Sequence, residues 1–316
     1  MTTIYTHMSV DIDAVASVWA ARQFVPGFRE AKVEFRPVNW DGTGAAEGSL
    51  LLDMSAGAKG VKDPDGTVHS CFKWLVLAYA PAEARQALAK LVAFIDAQDA
   101  YGSAVRHLAP GIGEEASEVL AATGLNAVLR AFQWTRRNDD AAVVAMMSEI
   151  FSGMFEAGLS RQRAQMEADQ ARVFGQGRVA IAENSKEYAT NGVLFEQGVE
   201  VVVYVDGNNL GVVRRNDVVL RMDHPDIRRV VEEGGEEGEW FAHPAGFLYC
   251  RGSRKAPAES PSQVAPAALA EAVAAALTGS RAYSELPYDE QVRANLYEKL
   301  RDQAADQLKG AHATTE

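Results

Sequence analysis

Cysteine is nearly absent: Cys71 and Cys250 are the two in 316 residues. Two thiols so far apart in sequence make neither a disulfide framework nor a zinc motif. A reducing cytoplasm is the expected compartment. Positive charge is also short, with 31 Lys and Arg against 43 Asp and Glu, a formal net charge of -12. A general grip on nucleic acid needs clustered Lys and Arg and is disfavoured. A local basic groove or a small phosphorylated substrate is still compatible, with bound cations supplying the missing positive charge. No run of 18 or more apolar residues occurs, so no transmembrane helix and no membrane association are expected. The opening MTTIYTHMSVDIDAV lacks a basic region followed by an apolar run, so it is not expected to be a signal peptide. Internal repeats and low-complexity tracts are missing as well.

What is present suits a globular protein of more than one core. Hydrophobic residues make up 47% and charged residues 23% of the chain. Thr2 to His7 reads as a β-branched strand, Met8 to Asp13 as a loop, and Ala14 to Phe24 as a helix. Lys32 to Val38 alternates like a strand. Ser49 to Met54 is a short apolar run ending in a carboxylate, suited to a strand buried on both faces. Helices are expected over Ser70 to Tyr79, Ala82 to Gln98 and Leu125 to Trp134. Asn138 to Phe174 reads as one long helical stretch, capped by Asn138 and weakened at Gly153 and Gly158. Beyond Gly177 the texture changes to strands: Val179 to Ala182, Val193 to Phe195, Val199 to Val205, Gly211 to Arg215 and Val218 to Arg221. His224 to Glu233 and Ala265 to Leu277 read as helices, with Trp240 to Cys250 a broken strand between them. The fold class expected is α/β: an N-terminal doubly wound, mostly parallel sheet domain, a long helical connector, and a smaller C-terminal α/β domain. The corresponding boundaries are 1–135, 136–177 and 178–280, followed by a helical tail over 281–316.

His7, Asp11 and Asp13 carry the strongest local signal. A strand ends, a loop follows and a helix begins, which sets three polar side chains at the carboxyl end of a strand, where open α/β sheets bind ligands. One imidazole with two carboxylates suits Mn²⁺ or Mg²⁺, the His favouring Mn²⁺. The plain alternative is that Asp11 or Asp13 caps the helix. Asp53 ends the next apolar strand and is expected on the same sheet edge. Asp96 and Asp99, three residues apart, share a helix face near a Gly turn, and either one could be the ligand.

The spacing His7-x-x-x-Asp11-x-Asp13 resembles the first motif of the DHH phosphoesterases, the RecJ-like superfamily. Asp53 resembles the second motif. Ile95 to Asp99 is similar to the acidic motif of the melanocyte-proliferating-gene exonuclease branch, and Trp240 to Phe247 is similar to that branch's His-x-x-Gly-Phe segment. The resemblance spans roughly residues 3 to 280. It implies a metal site of His7, Asp11, Asp13, Asp53 and Asp99, with Asp11, Asp13 and Asp53 catalytic, and phosphate contacts from His243 and Gly246. The triplet that names the family is missing. In its place stands a segment with Lys59, Lys62, Asp63, Asp65 and His69, where a lysine would face phosphate as a fixed cation and His69 would replace one lost imidazole.

The resemblance implies a Mn²⁺- or Mg²⁺-dependent phosphoesterase acting on a nucleotide, a short oligonucleotide or another small phosphorylated compound, with 3′-5′ exonuclease action suggested by the branch. The alternative is a degenerate relative that binds a nucleotide or phosphate without cleaving it. A third reading is an interaction module, with a homodimer among its outcomes, built on the long helix and on Leu296, Tyr297, Leu300 and Ala304 of the tail.

Overall fold

The computed structural model describes residues 2–279 except 58–60, 63–67, 138 and 188. The chain divides into two compact units, Met1–Leu159 and Ser160–Glu316. Both are α/β, as expected.

The first unit is organised around the strand β1, Thr3–His7, all five of whose residues are buried. It is flanked by two parallel neighbours, β2 (Lys32–Arg36) and β3 (Leu50–Leu51), in the order β2-β1-β3. Between β1 and β2 runs α1, Ile12–Phe24, whose residues from Ile12 to Ala21 are all buried. A helix that is apolar on every side must sit inside the protein, and α1 does. Trp19 of α1 packs against Phe24, Phe72, Phe151 and Phe155, and its indole N–H donates to Ser152 Oγ at 3.0 Å. Around it lie α2 (Cys71–Tyr79), α3 (Ala82–Tyr101), α4 (Ala104–Leu108), α5 (Glu114–Thr123) and α6 (Leu125–Thr135). Two short paired strands, β4 (Val61–Lys62) and β5 (Val68–His69), precede α2.

The long helix α7 runs from Asp140 to Ala168, and the division between the units falls within it. By length and composition it could cross a membrane. One face, however, places Val143, Val144, Met147, Phe151 and Phe155 in the core of the first unit. The helix continues through both Gly153 and Gly158. Gly158 is a packing residue: a Cβ there would stand 2.4 Å from the Ala87 carbonyl oxygen of α3. The expected cap Asn138 lies outside the described residues, and Asp139 accepts from the Ala142 N–H in that position.

The second unit has a six-stranded mixed sheet in the order β10-β11-β9-β8-β7-β6. Its strands are β6 (Arg172–Phe174), β7 (Val179–Glu183), β8 (Val201–Asp206), β9 (Asn209–Arg214), β10 (Phe241–Ala242) and β11 (Leu248–Arg251). β7 and β8 are parallel, and the other pairs are antiparallel. α9 (Pro225–Glu233) and α10 (Pro266–Gly279) share one apolar core with the sheet, and α8 (Thr190–Glu196) lies in a second.

Four local readings are corrected. The long helical stretch read over Asn138 to Phe174 ends at Ala168, and Arg172 to Phe174 form the edge strand β6, paired with β7. Val193 to Phe195 belong to helix α8, because Val193 and Leu194 are buried together from one helical turn. Val218 to Arg221 keeps a strand's alternation, with Val218, Leu220 and Met222 buried, but pairs with no strand among the described residues. α5 falls where no helix was read: Ala116, Val119 and Leu120 stand at helical spacing, yet its single buried residue is Ser117. The tail over 281–316, with Leu296, Tyr297, Leu300 and Ala304, lies outside the described residues.

Candidate metal centre

β1 ends at His7, and the chain must turn at once to start α1. Ser9 takes a left-handed φ of 54° to do so. The turn is held from afar: the Asp140 carboxylate accepts from the N–H groups of Ser9 (3.0 Å) and Val10 (3.3 Å), and Gln133 Nε2 donates to the Val10 carbonyl (2.7 Å). Asp11 then caps α1, accepting from the Ala14 N–H at 2.9 Å. On the other side of β1, the Leu52 N–H donates to the Tyr5 carbonyl at 2.9 Å, and Asp53 follows with φ 52°. The left-handed region is uncommon for a non-glycine residue, and Asp and Asn tolerate it best. Two such residues, Ser9 and Asp53, therefore flank one sheet edge.

These turns bring His7, Asp11 and Asp53 together. His7 Nε2 lies 3.1 Å from Asp53 Oδ2 and 3.7 Å from Asp11 Oδ2. His7 Nδ1 lies 2.9 Å from the Met8 carbonyl oxygen. A carbonyl only accepts, so Nδ1 carries a hydrogen and donates it, and Nε2 is aimed at the carboxylates. His7 and Asp53 are buried and Asp11 is exposed. The imidazole is held protonated, its pKa raised to about 10, first by Asp11, then by Asp53, against an opposing effect of burial. Asp53 is the closer, hydrogen-bonded partner by distance. Asp11, farther off, completes the negative pocket.

The three side chains could hold a metal ion in place of the proton on His7 Nε2, since a ligating imidazole must give that proton up. One ligand atom from each of the three side chains lies within 4.8 Å of the others. An imidazole whose second nitrogen donates to a backbone carbonyl has the tautomer and orientation usual for metal-ligating histidines. A nitrogen and two oxygen donors suit Mn²⁺ or Mg²⁺. The donor set present therefore fits the ion that the sequence implies.

Asp13 is placed differently. It is 1% exposed and accepts from the N–H groups of Cys71 (2.8 Å) and Phe72 (2.9 Å), with Ser17 Oγ at 3.4 Å. Its two oxygens satisfy the first turn of α2, where backbone N–H groups lack helical partners. Burial pushes its pKa well up, and the charges of Asp53 and Asp99 push it further, against the two N–H donors. Asp13 thus belongs to the same electrostatic neighbourhood as Asp53 while its oxygens face α2. Asp96 accepts from the Ser70 N–H (2.9 Å) and Lys73 Nζ (2.7 Å), and His69 Nδ1 lies 3.7 Å away. Burial pushes the Asp96 pKa up, but Lys73 and the Ser70 N–H outweigh it and hold the carboxyl below its usual value. Asp99 is exposed on the same helix.

Lys59, Asp63 and Asp65 lie outside the described residues, and Lys62 is described only as part of β4. In the second unit, His243 and Gly246 form the turn between β10 and β11. The Gly246 N–H donates to the His243 carbonyl at 2.7 Å, and His243 Nδ1 accepts from the Ala245 N–H at 3.1 Å. Gly246 suits the turn because its φ is 67°, in the left-handed region, and a Cβ there would also displace the Arg221 side chain, 2.9 Å away at Cγ. Sequence reasoning missed Asp140 and Gln133, which fix the Ser9–Val10 turn from more than 120 positions away.

No protein-family model and no curated protein matches the chain. Among solved structures, an uncharacterized protein from Helicobacter pylori G27 is similar at 9% identity and a TM-score of 0.23, covering 88% of this chain and all of that one. The exonuclease RecJ bound to manganese is similar at 13% identity and a TM-score of 0.30, covering 86% of this chain and 90% of that one. Both likenesses are weak, and the functional reading rests on the site itself.

Proposed function

We propose that the N-terminal unit binds a divalent cation, Mn²⁺ or Mg²⁺, and uses it to hydrolyse a phosphoester in a nucleotide or short oligonucleotide. The observation that carries this reading is the convergence of His7 Nε2, Asp11 and Asp53 within 4.8 Å at the carboxyl end of a parallel strand. The ion would be held by His7, Asp11 and Asp53, and when bound it would polarise a phosphoryl oxygen and acidify a water. The chain's own contribution is preorganisation. The Met8 carbonyl fixes the His7 ring, the Asp11 cap fixes the start of α1, and the left-handed backbone at Asp53 aims its carboxylate back at β1.

A second reading, cation-dependent phosphate binding without cleavage, is favoured by one feature. Both Asp13 oxygens are committed to α2. Three remaining ligands suit one ion better than the paired ions that clamp both the attacking and the leaving oxygen.

The experiment is calorimetric titration of Mn²⁺ into chelator-stripped protein, with Asp53→Asn alongside. One ion bound by the parent and at least tenfold weaker binding by the variant are expected, in line with the loss of a charged ligand. Equal affinity in the two proteins, or no binding by the parent, overturns the site. Hydrolysis of short RNA oligomers and dinucleotides by the loaded protein then separates the two readings. Turnover that disappears in Asp53→Asn supports the phosphoesterase, and binding without turnover supports the second.

A further inference from the structure

We infer that Arg36 and Trp40 form a nucleotide-recognition platform beside the His7, Asp11 and Asp53 cluster, Trp40 stacking a base and Arg36 pairing with its phosphate. This deepens the proposed function and rests on it. Arg36 ends β2 and is the register partner of His7, and its carbonyl accepts from the Met8 N–H at 2.9 Å. Partners in adjacent parallel strands lie about 4.8 Å apart and project to the same face. The contacts agree: the Arg36 guanidinium lies 5.9 Å from the centroid of Tyr5, two residues before His7 on that face. It also lies 5.6 Å from the ring centroid of Trp40. Trp40 in turn packs on Tyr5 at 4.9 Å between ring centroids.

The loop that carries Trp40 is tied to the Asp53 side of the site. The Ser55 N–H donates to the Val38 carbonyl at 3.1 Å, and the Trp40 N–H donates to the Pro37 carbonyl at 2.9 Å. Strand register and loop anchoring thus place the aromatic and the guanidinium at the same sheet edge as the cluster. Tyr5 is buried and backs the group, Trp40 is half-buried, and Arg36 is exposed. The guanidinium is paired with Glu34 at 2.7 Å, but Glu34 is shared with Lys32 at 2.9 Å. Along β2 two cations share this one carboxylate. A planar cation held against an aromatic ring next to a divalent-cation site is chemistry for a base and its phosphate. Aromatic stacking accepts any base, and the guanidinium fork matches phosphate.

The test is calorimetric binding of adenosine monophosphate and of ribose phosphate, each with and without Mn²⁺, to the parent, Arg36→Gln, Trp40→Ala and Trp40→Phe. Mn²⁺ titration of each protein runs in parallel, and circular dichroism checks folding. Trp40→Ala is expected to weaken adenosine monophosphate about tenfold while changing ribose phosphate less than about twofold, and Trp40→Phe should restore most of the loss, since stacking needs only a ring. Arg36→Gln is expected to weaken both ligands about tenfold. Mn²⁺ affinity should stay within about twofold in all variants, since none removes a ligand of the ion.

Adenosine monophosphate binding that both Trp40→Ala and Arg36→Gln leave unchanged overturns the platform. So does a parent that binds Mn²⁺ but no adenosine monophosphate. A parent that binds no Mn²⁺ overturns the metal site instead. The metal-free titrations then judge the platform by the same losses, and absence of nucleotide binding there overturns it too.

Discussion

At the scale of single residues, Asp53 does two jobs with different substitution tolerances. Its charge faces His7, and its backbone is left-handed. Asp53→Asn should keep the fold, because Asn accepts that conformation, and should lose the cation. Asp53→Ala should lose the cation and a further ~1 kcal/mol of stability from the strained backbone, read by urea denaturation of the chelated proteins. His7 sets a pH dependence of its own. Its pKa is raised from 6.5 to about 10. Its contribution to stability is therefore complete below pH 6.5 and is lost as pH rises through about 10. Melting temperatures of the chelated protein should fall across that window, and His7→Gln should flatten the fall. An equally steep fall in the variant would trace the effect to other groups. His7, Asp11 and Asp53 were legible in the sequence because each punctuates the end of an apolar strand or the start of a helix. Asp140 was not, since its role is to hold a turn 130 residues away in the chain.

At the scale of elements, α7 makes the clearest prediction, because its two glycines look alike in sequence and differ in space. A Cβ at Gly153 would meet nothing within 4 Å, whereas one at Gly158 would meet the Ala87 carbonyl at 2.4 Å. Gly153→Ala should stabilise by about 0.5–1 kcal/mol through helix propensity. Gly158→Ala should destabilise by about 1–3 kcal/mol by forcing α3 and α7 apart. Equilibrium denaturation of both variants checks the pair, and the same sign for both would refute the packing argument. Elements with a compositional signal were readable: β1 as a β-branched and aromatic strand, β3 as a short apolar run, α1 and α3 as helices. Those without one were not. Short apolar runs such as Val193 to Phe195 fit a strand or a helix turn equally. α5 is short and exposes nearly every side chain, Val119 and Leu120 included, so no core contact follows from its spacing.

At the scale of the whole molecule, each unit has its own apolar core, and the candidate ligands all belong to the first. Cation binding should therefore stabilise the first unit by mass action, by about 2.7 kcal/mol at a hundredfold excess over the dissociation constant. Hydrogen exchange with and without Mn²⁺ should show added protection at β1, the start of α1 and residues 50–54, and little change in the sheet of the second unit. Uniform protection, or none at the sheet edge, would count against the site. The sequence by itself determined the α/β class, the strands that bear His7 and Asp53, and the acidic composition, because periodicity and composition are local properties of a chain. Only the tertiary structure decided which carboxylates converge. Asp13 is two residues from Asp11, yet burial turns its oxygens to the N-terminus of α2, while Asp53, 46 residues from His7, comes within 3.1 Å of it. Side-chain direction at a strand or helix end depends on what packs against it, and that partner is supplied by another part of the chain.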